Sequence, residues 1–120
     1  MTLHTVVETP GYLSDARDEG MTEAEMKAAV DLIAANPTIG VLIKGAGGCR
    51  KVRIAGKGKG KSGGYRVVTY FFDETLPAYL FAVLAKGSRA NFSEVERKAL
   101  GEMAKYVAET ARRVRSGNRE

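Results

Sequence analysis

Hydrophobic positions change their period along this chain. From Thr2 to Glu8 they alternate loosely around Leu3, Val6 and Val7, which predicts a short strand ended by Pro10 and Gly11. A weaker helical signal covers Tyr12 to Asp18. Thr22 is a good N-cap, and Glu25 three residues on completes a capping box. The helix that follows places Met26, Ala29, Val30, Ile33 and Ala34 on one face, the i, i+3, i+4, i+7, i+8 stripe of an amphipathic helix. Asn36-Pro37 ends it, because proline pushes the preceding residue out of helical geometry.

From Gly40 the period shortens to two. In Cys49 to Ala55 the cations Arg50, Lys51 and Arg53 intersperse with Val52 and Ile54, which predicts a half-buried strand with a cationic face. Tyr65 to Phe72 and Tyr79 to Ala85 are β-branched and aromatic runs joined by Asp73-Glu74-Thr75-Leu76-Pro77, suited to a hairpin turn. Ser93 and Glu96 make a second capping box. It opens a helix with Val95, Leu100, Met103, Val107 and Ala111 on one side, which dissolves at Arg112 to Gly117. The expected order is β–α(α)–β–β–β–α, an α+β domain with helices packed on one face of a mainly antiparallel sheet. At 120 residues the whole chain, 1–120, is one domain with one modest core.

Charge sharpens this outline. The net charge is +5, but residues 1–31 hold seven acidic and two basic side chains, whereas residues 32–72 hold eight basic ones and no carboxylate. One cysteine, Cys49, leaves no internal disulfide and fits a reducing cytosol, so a cytoplasmic location is expected. No apolar run approaches the roughly 20 residues of a membrane helix, and no secretory signal opens the chain.

Several chemistries fall away on the residues alone. Gly60-Lys61-Ser62 resembles the end of a phosphate-binding P-loop, but Ala55 stands where the first glycine belongs, and a strand rather than a helix follows. A metal site built from the single histidine, His4, and the single cysteine lacks ligands, so no metal and no cofactor are expected. Asp73-Glu74 suits a solvated turn, and Glu94 and Glu96 suit a helix start. No carboxylate dyad or nucleophile–base pair emerges.

What remains is the basic constellation. Gly56-Lys57-Gly58-Lys59-Gly60-Lys61-Ser62-Gly63-Gly64 leads into a strand that opens with Tyr65 and Arg66. Glycine alternating with lysine carries high conformational entropy, which stability alone does not favour. Unopposed charge of this kind calls for a polyanion, and nucleic acid is the usual one. Lys86 and Arg89 follow the last predicted strand and can join the same edge.

Three stretches together resemble the RelE/HigB superfamily of bacterial type II toxins, and the HigB-like branch most closely. They are Lys44-Gly45-Ala46-Gly47-Gly48-Cys49-Arg50-Lys51-Val52-Arg53, the Gly-Lys loop running into Gly63-Gly64-Tyr65-Arg66-Val67-Val68-Thr69-Tyr70-Phe71, and Leu84-Ala85-Lys86-Gly87-Ser88-Arg89-Ala90-Asn91-Phe92-Ser93. The resemblance spans about Val30 to Met103. It implies a small microbial-RNase-like fold and a ribosome-dependent mRNA interferase that cuts mRNA in the A site and stops translation. It also implies a neutralising protein antitoxin, a HigA-like helix-turn-helix protein. The expected partners are therefore mRNA, the ribosome and the antitoxin, with no membrane.

Metal-free RNA cleavage has the 2′-hydroxyl attack the adjacent phosphate through a transition state that gains negative charge, so placed cations stabilise it. Arg66, whose planar fork can bind two phosphate oxygens, is the first choice for that role. Lys57, Lys59 and Lys61 are expected to hold phosphates, one of them as general base, and Lys86 to serve as second cation and proton donor. Arg50, Lys51, Arg53, Tyr65, Arg89 and Phe92 are the expected RNA contacts, Phe92 by stacking on a base. No histidine stands near the C-terminus, which favours a non-catalytic RNA- or ribosome-binding module as the alternative. A third reading is a basic face that docks only an acidic protein.

Overall fold

A computed structural model of the chain describes residues 3–56, 64–85 and 92–117. Their elements run β1 (Val6–Glu8), α1 (Pro10–Asp18), α2 (Glu23–Ala35), β2 (Val41–Leu42), β3 (Arg50–Ile54), β4 (Tyr65–Tyr70), β5 (Ala78–Ala85) and α3 (Glu94–Gly117). The strands form one five-stranded sheet in the order β1-β5-β4-β3-β2. β2 to β5 pair antiparallel with their neighbours, and β1 lies parallel to β5. The α+β class and the mainly antiparallel sheet match the sequence reading, with the two-residue β2 added.

Both capping boxes form. Glu25 N–H donates to Thr22 Oγ1 at 3.1 Å while Thr22 N–H donates to Glu25 Oε1 at 2.8 Å. At α3, Glu96 N–H donates to Ser93 Oγ at 3.1 Å and Ser93 N–H to Glu96 Oε1 at 2.8 Å. The faint helical signal near Tyr12 proves to be the nine-residue α1. Thr9 accepts from Tyr12 N–H at 3.2 Å, Pro10 supplies a helical φ at the first position, and the Thr9 hydroxyl donates to Leu80 O at 2.8 Å. The last bond fixes the helix start on β5.

Helices cover both faces of the sheet, not one. Tyr12, Ala16, Ala29 and Ile33 of α1 and α2 pack with Val52, Ile54, Val67, Leu80 and Val83. On the reverse face Leu100, Ala104 and Val107 of α3 pack with Cys49, Val68, Tyr70 and Phe81. The four main strands carry apolar residues on both sides of the pleat, so a second layer is needed to bury them. A register slip helps: Val68 pairs with Ala82 but Thr69 with Leu80, leaving Phe81 as an extra residue in β5. Phe81 and Ala82 then both face α3.

The buried stripe of α3 also differs from expectation. Leu100, Ala104, Val107, Ala108 and Ala111 are buried, while Val95 is 77% exposed and Met103 39%. Small residues let the helix approach closely: a Cβ on Gly47 would stand 3.0 Å from the Gly101 Cα. Nor does the helix dissolve at the arginines, since it continues to Gly117. Arginine is a good helix former, and cations suit the negative end of the helix dipole.

Candidate nucleic-acid interface

Antiparallel register places Arg53 directly opposite Arg66, and Arg66 opposite Leu84. One step towards the middle of the sheet, Lys51 stands between Val41 and Val68. Val52, Ile54 and Val67 face α1 and α2, so alternation turns Lys51, Arg53 and Arg66 to the other side, the side of α3. The packing residues of α3 meet that face around Cys49, Val68, Tyr70 and Phe81, away from the Arg53–Arg66 end. Arg53 is exposed, and Lys51 and Arg66 are half-buried.

Two grooves adjoin these cations. One, of about 590 Å³, is lined by Val41, Leu42, Ile43, Lys44, Gly45, Lys51, Phe92 and Arg97. The other, of about 340 Å³, is lined by Leu32, Ile39, Gly40, Val41, Lys51, Val52, Arg53 and Arg66. Among the described residues, no carboxylate lines either groove. Like charges directly across a strand pair repel, so Arg53 and Arg66 together make a region of positive potential that favours an anion.

The expected loop residues fall outside the described part: Lys57, Lys59, Lys61, Lys86 and Arg89 are among them. Their anchors are described. Ile54, Tyr65 and Ala85 are register partners, so both intervening segments leave the sheet at the Arg53–Arg66 end.

Three expected RNA contacts stand apart from the Lys51, Arg53 and Arg66 face. Alternation sends Arg50 to the opposite face from Lys51 and Arg53, and its Nη1 donates to Gly40 O at 3.2 Å. The three cations of β3 therefore do not share one face. Tyr65 packs on the α1/α2 side and hydrogen-bonds Glu25; burial, then the Glu25 carboxylate, push its phenol up. Phe92 is 8% exposed and packs with the residues beneath α3, so little of its ring shows in the larger groove that it helps to line.

Sequence reasoning gave no role to Lys44 or Arg97, both of which line the larger groove. Arg97 Nη1 donates to Phe92 O at 2.6 Å, which holds the start of α3 against that groove. Its helix mixes acids and bases, so no local pattern singled it out; Lys44 could have been found within the carboxylate-free stretch.

His4 stands elsewhere. Its ring meets Phe71 edge-on at 5.3 Å and its Nδ1 lies 3.6 Å from Glu74 Oε1, past the far end of β4 from Arg66. Cys49 is fully buried, its Sγ donating to Leu100 O at 3.7 Å, and burial pushes its thiol up to about 12. Arg112 lies over the Phe72 ring at 5.7 Å. Among the described residues, no three His, Cys, Asp or Glu side chains gather to hold a metal ion, and no helix is long and apolar enough to cross a membrane. The guanidinium and ammonium groups of Arg53, Arg66 and Lys51 are of the chemical type that binds and polarises a phosphate.

A family model described as the RelE toxin of the RelE/RelB toxin–antitoxin system matches residues 6–114. The chain is also similar to the solved structure of a double arginine-to-alanine mutant of the E. coli toxin RelE in its free state. The identity is 17%, the match covers 84% of this chain and 96% of that one, and the TM-score is 0.55. At that identity the likeness concerns the fold.

Proposed function

Because this chain belongs to the RelE toxin family of toxin–antitoxin systems, we propose that it is a ribosome-dependent endoribonuclease that cleaves mRNA in the ribosomal A site. The observation that carries this reading is the open, carboxylate-free end of the sheet where Arg53, Arg66 and Lys51 converge. The 2′-hydroxyl attacks the adjacent phosphorus, the bond to the 5′-oxygen breaks, and a 2′,3′-cyclic phosphate and a 5′-hydroxyl result. Charge grows on the non-bridging oxygens, where the fork of Arg66 binds two of them. Lys51 and Arg53 neutralise the flanking phosphates. Lys57, Lys59 or Lys61 is the candidate base and Lys86 the candidate proton donor. The chain belongs to the HigB-like branch, and its antitoxin is a HigA-like helix-turn-helix protein.

Absence of an imidazole or carboxylate beside Arg66 among the described residues favours, as second reading, a module that blocks the ribosome without cutting. Induced expression of the chain and of its Arg66→Ala variant, with mRNA 5′ ends mapped in both cultures, separates the two. New cuts inside translated frames that vanish in the variant support cleavage. Growth arrest with intact mRNA supports blocking, and normal growth with soluble folded protein sinks both.

A further inference from the structure

Helix α3 buries one face and leaves a second apolar stripe uncovered. Leu100, Ala104, Val107 and Ala111 are buried against the rest of the chain. Away from them Val95, Met103, Tyr106 and Val114 are exposed, Tyr106 by 65%, with Ala99 and Thr110 between them. Steps of three or four residues keep these six in one line along the helix. The Thr110 hydroxyl donates to Tyr106 O at 2.9 Å, so its polar group is satisfied within the helix and does not interrupt the stripe. A groove of about 500 Å³ adjoins the stripe, with Tyr79, Phe81, Met103 and Tyr106 in its lining. Exposed apolar surface of this extent on a helix marks an interaction face.

A row of charges runs alongside. Glu94, Lys98, Glu102, Lys105, Glu109 and Arg113 follow at the same steps, one residue before each member of the stripe, and the sign alternates throughout. Neighbours in the row are spaced to pair within the helix, yet among the described residues none of the six forms an ion pair.

Both lines match themselves when reversed. Turned about its midpoint, the stripe sets Val95 on Val114, Ala99 on Thr110 and Met103 on Tyr106. The row sets Glu94 on Arg113, Lys98 on Glu109 and Glu102 on Lys105, each an opposite pair. The two midpoints lie one residue apart, about 1.5 Å along the helix. A two-fold axis across two antiparallel helices brings stripe to stripe and row to row on the same side. Parallel helices in register would set each charge on its like.

We propose that two copies of this chain associate through α3, antiparallel about a two-fold axis near Ala104, as a self-complementary dimer. Met103 of one copy packs on Tyr106 of the other at the centre, and Glu102 meets Lys105 beside them. The inference does not rest on the toxin reading, since it needs neither RNA nor antitoxin.

Sedimentation equilibrium of the purified full chain follows its mass from about 1 µM to about 1 mM. The mass is expected to rise from one chain to two. Tyr106→Lys places a charge at the centre of the stripe and is expected to weaken the dimer by about tenfold or more. Tyr106 is exposed, so the variant keeps the core, and an unchanged melting curve at low concentration verifies this. Glu102→Lys and Lys105→Glu each set like charges across the axis, and each is expected to weaken self-association by about threefold or more. Mixed in equal amounts, these two variants regain opposite pairs and are expected to form a heterodimer tighter than either homodimer, a recovery that loss of folding cannot produce. A wild-type chain that stays monomeric at about 1 mM overturns the proposal. So do a dimer that folded Tyr106→Lys leaves intact, and a mixture of the charge variants that associates no better than each alone. A monomer that binds a different protein through Tyr106 overturns it as well.

Discussion

Replacing Arg66 with glutamine should weaken function and strengthen the fold. Arg66 faces Arg53 directly across the β3–β4 pair, with Lys51 on the same face and no carboxylate in the grooves beside them. Like charges opposite one another on a sheet cost about 0.2–1 kcal/mol. Glutamine keeps much of the stem that lies along the half-buried face but removes the charge. The free variant should therefore be more stable by about 0.2–1 kcal/mol, or roughly 1–5 °C in melting temperature for a domain of this size. The gain should shrink near 1 M salt, where the screening length falls to about 3 Å. Cleavage should drop by about 10²–10³-fold, the usual cost of losing one preorganised donor to a developing oxyanion. Thermal melts at low and high salt, set beside 5′-end mapping on translated mRNA, read both effects. A variant destabilised by more than about 1 kcal/mol at low salt would mean that Arg66 packs rather than waits for an anion. Cleavage within about threefold of wild type would refute its role in the transition state.

Other outcomes follow from the packing. Phe92→Ala should cost about 3–5 kcal/mol in chemical denaturation, and Phe92→Leu should retain cleavage; loss of cleavage in a stable leucine variant would return the ring to the RNA site. Gly47→Ala should destabilise, because its φ is +67° and the new Cβ would stand 3.0 Å from Gly101 Cα. Gly101→Ala meets nothing nearer than 3.7 Å and should stabilise α3 by roughly 0.5–1 kcal/mol, so equal effects in the two variants would contradict the geometry. Burial pushes the Cys49 thiol from 9.0 to about 12, and burial with the charge of Glu8 pushes the Tyr12 phenol from 10.0 to about 12. Both hold their proton more tightly folded than unfolded, so their contribution is intact below about pH 9 and falls as pH rises towards 12. The slope is up to about 1.4 kcal/mol per pH unit for each group, and a denaturation midpoint that stays flat across that window would contradict it.

Local signals were legible where they were short-range. Thr22 with Glu25 and Ser93 with Glu96 specify their helix starts through bonds between residues three apart, and the structure forms both boxes. The runs at 65–72 and 79–85 became β4 and β5 within a residue or two at each end. What escaped was set by distant neighbours. Thr9 caps α1 while bonding Leu80, 71 positions away, and only the tertiary contact makes that helix start unambiguous. The second helical layer depends on strands that are apolar on both sides, and its stripe on the alanines of α3, which the eye passes over in favour of Val95 and Met103. At the site, composition located the basic region but not its sides. A period of two divides Arg50 from Lys51 and Arg53, and a packed ring of Phe92 looks the same in sequence as an exposed one.

The same alternation explains how the sheet sustains such a concentration of positive charge. Arg53 and Arg66 stand on adjacent strands whose reverse faces are Val52, Ile54 and Val67, each at most 5% exposed. Burial of three such side chains is worth about 1.5–3 kcal/mol apiece, several times the repulsion between two arginines across a strand pair. The core beneath therefore holds the two cations in register against that repulsion. Residues 32–72 hold no acid and residues 1–31 concentrate them, so the chain's positive charge gathers at the end of the sheet that carries Arg53 and Arg66, where it favours an anion.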